Sequence, residues 1–173
     1  MIPVRLVVAL VFSVGLALGV LVPQSAAPAA AQSLNVFFSR HPDSDNDFSA
    51  VFPLPRNVPG TGLDAMRGAI QALIAGPTAA EQAQQYFSDF ANLLVPGPST
   101  CKGFDFLVMT AGGIATVQLC HATSSAGIGQ DARAQAEIEA TLMQFPGVQR
   151  VRVLNSSGHC LFDQSGLDLC LQP

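Results

Sequence analysis

The chain has 173 residues, is 49% hydrophobic and 12% charged, and carries a formal net charge of −4. That length suits one domain, and mild acidity without a basic stripe argues against nucleic acid or an anionic membrane surface as partner.

Residues 1–31 read as a signal peptide: Arg5, an apolar run from Leu6 to Val22, and the small-residue end Ala29-Ala30-Ala31. An uncleaved membrane anchor is the alternative, because the run is about as long as the shortest spanning helix. No cysteine follows the run to carry a lipid. Residues 32–173 then form a single domain, and without Arg5 seven basic residues face twelve acidic ones. Contact with a membrane is expected only if the leader is retained.

Leu34 to Ser39 is a first strand, with Leu34, Val36 and Phe38 on one face. Asp43, Asp45 and Asp47 alternate like the opening of a calcium loop, but Phe48 and Leu54 occupy the places where that motif needs glycine and glutamate. A solvated polar turn is the expectation, with weak calcium binding the alternative. Phe48 to Pro59 alternates apolar and small residues around Pro53, Pro55 and Pro59, the pattern of an edge strand. Arg56 within it is a surface charge or a tie to the helix that follows.

Thr61 and Asp64 resemble a capping box opening a helix whose apolar stripe is Leu63, Met66, Ala69, Ile70, Leu73 and Ile74, ended by Gly76-Pro77. Thr78 caps a second helical stretch, Ala79 to Phe90, with Tyr86, Phe87 and Phe90 inward. Phe104 to Thr110 and Ile114 to Cys120 flank Gly112-Gly113 as a hairpin.

Asp131 to Leu154 organises the rest. Asp131 starts a helix whose stripe is Ala134, Ile138, Thr141, Leu142 and Phe145, while Arg133, Glu137 and Glu139 are expected in water. Pro146-Gly147 stops it, and Val148, Val151 and Val153 alternate with Arg150 and Arg152 in a strand. A last turn-centred segment follows to the C-terminus. The whole is an α+β fold: a mixed or antiparallel sheet with two main helices packed on one face.

Four cysteines in an exported chain suggest two disulfides. Spacing favours Cys101 with Cys120, across the hairpin, and Cys160 with Cys170, closing a C-terminal finger. No Cys-x-x-Cys pair supports zinc.

Catalytic patterns are sparse. There is no Gly-x-Ser-x-Gly elbow, and Ser124, Ser125 and Ser157 are loop serines. Glu137 and Glu139 lie two apart on a helix and diverge. Glycines 60, 62 and 68 lack a phosphate-binding spacing. The expectation is no catalytic residue, no cofactor and no metal. The alternative is a small secreted hydrolase of wall glycans or peptides, with His121 or His159 working beside Asp163.

The segments VFFS, VFPLPRNVP, ALIAGPTAAEQ, ATVQL and IEATLMQFPGVQRVRVL, in that order, resemble the GerMN domain of bacterial sporulation, germination and other cell-envelope proteins. The marks are LIAGPT ending the first helix, the TLMQFPGV helix-to-strand step, and Arg56 after a strand; they span most of Leu34 to Gly158. The resemblance implies an extracytoplasmic module, similar to ring-building domains of envelope assemblies, that binds or assembles. Its expected partners are a protein or wall component, or further copies of itself. This chain departs from the familiar pattern in having one copy, no lipid anchor and the cysteine-closed finger.

Overall fold

The computed structural model describes residues 31–172; the leader reading falls outside them, apart from Ala31. The elements run in the order β1 (Ala31–Arg40), α1 (Asp43–Asn46), β2 (Phe52–Pro59), α2 (Leu63–Ala75), α3 (Ala79–Gln82), β3 (Tyr86–Phe87), α4 (Asp89–Leu93), β4 (Phe106–Ala111), β5 (Ile114–Leu119), α5 (Ile128–Met143) and β6 (Arg150–Leu154).

The fold is α+β, with the strands divided between two three-stranded sheets, β2-β1-β3 and β4-β5-β6. β1 pairs antiparallel with β2 from Ala31 opposite Pro59 to Phe38 opposite Phe52. In the second sheet β4 and β5 form the antiparallel hairpin, and β6 runs parallel to β5. A parallel neighbour needs a crossover, which α5 supplies.

Both long helices touch both sheets: α2 lies against β1, β2 and β4, and α5 against β1 and β6. One core results. Leu34, Val36 and Phe38 of β1, Ala69, Ile70 and Leu73 of α2, Val117 and Leu119 of β5, and Ile138 and Leu142 of α5 are all buried in it. The apolar stripes read from the sequence are the faces that meet there, except that Leu63 at the start of α2 stays exposed.

Several local readings are corrected. Helix α2 begins at Gly62 with no side-chain cap, because Asp64 pairs with Arg67 at 2.8 Å instead of closing a box with Thr61. The helix expected over Ala79–Phe90 breaks into α3, β3 and α4. Gln85 adopts φ 71°, which ends the first piece, and Tyr86 and Phe87 then pair with Arg40 and Ser39 of β1. Thr78 does cap α3, in a capping box with Glu81. Helix α5 starts three residues before Asp131, at a Gly127 N-cap, and Asp131 sits in its first turn. The C-terminal finger is turn-centred, as read. It makes one bridge, Leu154 with Cys160, and ends in a short 3-10 turn, Leu169–Leu171.

Candidate functional site

Of the polar side chains in the core, Glu137 is the most consequential. It stands on α5, fully buried, where water had been expected. Its carboxylate accepts from the Ser39 amide and hydroxyl (3.2 and 2.7 Å) at the end of β1. It also accepts from the Ser88 hydroxyl (3.0 Å) and the amides of Asp89 and Phe90 (3.1 and 3.0 Å) at the start of α4. Burial pushes its pKa upward, against the pull of these donors. One acid thus ties three elements that share no backbone ladder. The sequence carried a signal: Glu137 lies three residues after Ala134 and four before Thr141, on the buried face.

Around it the remaining polar groups are committed locally. Asp89 pairs with Arg133 at 2.5 Å, and Arg133 lies over the rings of Phe48 and Phe87. Arg56 reaches Glu81 with both terminal nitrogens, at 2.8 and 2.6 Å. Arg56 is therefore the expected tie, made to α3 rather than α2.

The histidines do not assemble the hydrolase weighed above. His121 bonds Asp105 at 3.0 Å and His159 bonds Asp168 at 2.7 Å. Asp163 instead accepts from the Ser165 hydroxyl and the Leu169 amide, which hold its pKa down. The finger turns back on itself, so Asp163 serves the turn and neither histidine. The third histidine, His41, pairs with Asp45 at 2.7 Å and stacks on Phe87. Asp43 pairs with Arg40, and Asp47 folds onto Ser49. The three aspartates diverge, and among the described residues no three acidic, histidine or cysteine groups gather to hold a metal.

Cys101 is bonded to Cys120 and Cys160 to Cys170, with Cα separations of 5.4 and 5.9 Å. The first bridge pins the loop before β4 to the end of β5. The second closes the finger, whose Cys170 carbonyl accepts from Arg152 Nε at 2.7 Å.

Among the described residues, a groove of about 950 Å³ lies between α2 and β4. One wall is Pro59, Asp64, Arg67, Gly68 and Gln71; the other is the β4 strand with its lead-in, Gly103 to Met109. Phe104 and Met109 are 62% and 57% exposed, and Leu107 is 39% exposed. The Phe48 to Pro59 stretch, read as an edge strand, does lie at the edge of its sheet as β2, and its own prolines close that edge. Pro53, Pro55 and Pro59 have no amide to give, so these positions turn away from β1 and leave the outer side of β2 nearly bare of donors.

Residues 35–156 match the family model described as Germane, sporulation and spore germination. No curated protein sequence matches the chain. Among solved structures, the tandem GerMN domains of the sporulation protein GerM from Bacillus subtilis are similar, with 17% sequence identity and a TM-score of 0.44. That similarity covers 82% of this chain and 47% of the other, so the chain spans about half of that structure's length.

Proposed function

Because this chain belongs to the Germane family of sporulation and spore-germination domains, we propose that it is a non-catalytic binding or assembly module of the bacterial cell envelope, working outside the cytoplasm. The observation that carries the reading is the groove beside β4, where half-exposed apolar side chains flank a free strand edge. A concave apolar surface with few ionisable groups suits protein contact better than bond cleavage. Two disulfides favour an oxidising compartment. No described helix is long and apolar enough to cross a membrane.

Photo-crosslinking in the producing bacterium tests this, with the reactive group placed at Leu107 or at Gln71 on the two walls of the groove. The expected result is a discrete polypeptide adduct formed outside the cytoplasm. Release of wall fragments by the purified protein, or a chain found reduced in the cytoplasm, would overturn the reading.

A further inference from the structure

The two sheets have four outer strands, and three of them are closed to further pairing. β2 is blocked by proline. β3 is two residues long. β6 is covered by the finger, through the Leu154–Cys160 bridge and the Leu161 amide bonded to the Val153 carbonyl at 2.9 Å. Long, flat, apolar edges are the ones that natural proteins protect. β4 has no such protection. Its sequence, FLVMTA, contains neither proline nor charge.

The turn fixes which groups of β4 are free. Gly112 and Gly113, both at positive φ, form a two-residue hairpin turn. Ala111 and Ile114 then form the closing hydrogen-bonded pair, and alternation makes Met109–Thr116 and Leu107–Gln118 the next two. The Cys120 amide bonded to the Asp105 carbonyl at 2.9 Å continues the same series. Phe106, Val108 and Thr110 therefore turn their amides and carbonyls outward.

We propose that this edge binds a second copy of the chain, with β4 pairing antiparallel to β4 about a two-fold axis at Val108. The register follows from the free groups. Only pairing Val108 with its own counterpart, and Phe106 with Thr110 of the second copy, uses all three outward residues of each strand. The same register sets Leu107 opposite Met109 of the second copy, twice, and so brings two side chains that are 39% and 57% exposed in the monomer into cross-strand contact. The two sheets become one six-stranded sheet.

The proposal rests on the assembly reading, and its test is separable from that reading. Sedimentation of the purified exported protein is expected to show a monomer–dimer equilibrium. Thr110→Pro removes an outward amide and leaves the β5 ladder whole; it is expected to weaken the dimer at least tenfold. A double variant, Leu107→Lys with Met109→Lys, alters only the solvent face and is expected to be monomeric with unchanged folding. Isotope-filtered NMR of a labelled–unlabelled mixture is expected to show Leu107–Met109 contacts between copies. A wild-type monomer at millimolar concentration overturns the proposal, as does a dimer that neither variant weakens. A monomer that still crosslinks another envelope protein through the groove refutes the homodimer and leaves the binding role standing.

Discussion

Arg56 on β2 and Glu81 on α3 are 25 residues apart in sequence and meet through two parallel hydrogen bonds of 2.8 and 2.6 Å. Glu81 Oε2 accepts a third from the Thr78 amide at 2.7 Å, so one carboxylate both caps α3 and fastens it to the edge strand. Both side chains are mostly shielded, at 18% and 17% exposed, and the Arg56 guanidinium lies 5.3 Å from the Phe38 ring centre. A shielded, forked pair of this kind is worth more than a surface ion pair.

Arg56→Ala is expected to lower the unfolding free energy by about 2 kcal/mol, measured by urea denaturation near neutral pH. Arg56→Lys recovers less than half, because an ammonium cannot make both bonds at once. Hydrogen bonding from Arg56 lowers the Glu81 pKa below its ordinary 4.5. The stabilisation is therefore present above pH 4.5 and is lost as pH falls through the folded value. The gap between wild type and Arg56→Ala should close in acid.

Glu137 has the opposite sign. Burial raises its pKa above 4.5, so the folded protein binds this proton more tightly than the unfolded chain, and the contribution of this group weakens as pH rises from about 4.5 through the folded value. Glu137→Gln abolishes that dependence. It also turns an amide NH2 toward a site filled with donors, at a cost of about 3 kcal/mol. Denaturation of both proteins across pH 4 to 8 should show the difference between them shrinking as pH rises.

Gly68→Ala opposes two effects of known size. Alanine in mid-helix is favoured over glycine by about 1 kcal/mol. Here the new Cβ would sit 2.7 Å from Val58 Cβ on β2, a contact with no flexible end to swing away. The clash outweighs propensity, and a loss of about 1–3 kcal/mol is expected by thermal unfolding.

Replacing Cys101 and Cys120 together by serine is expected to cost about 3 kcal/mol by the loop-entropy relation, read as a lower global midpoint because Cys120 is buried at the end of β5. The corresponding change at Cys160 and Cys170 should mainly free the finger. Amide exchange would then quicken at Leu161 and Asn155, whose bonds to Val153 and His159 close that segment, while the midpoint moves less.

Local chemistry was legible where one residue's conformational preference decides the outcome. The Gly112-Gly113 turn, the Gly76 stop, the Thr78 cap and the alternating faces of β1 and β5 follow from backbone freedom and apolar spacing, which neighbours in sequence already contain. The two cysteine pairings could be read for the same reason, since each closes a short loop. Tertiary structure alone divided the strands into two sheets, since two ladders of like composition differ only in which edges meet. It also broke the Ala79–Phe90 stretch, where pairing with the end of β1 outweighed helix propensity. Glu137 was buried because five donors from β1 and the α4 start converge on its position, an arrangement that no single segment encodes. The β4 edge was left open by a similar accounting: its freedom depends on where β2, β3 and the finger lie. Periodicity reports which face of an element is apolar, and only the packed fold decides what that face, or that edge, is set against.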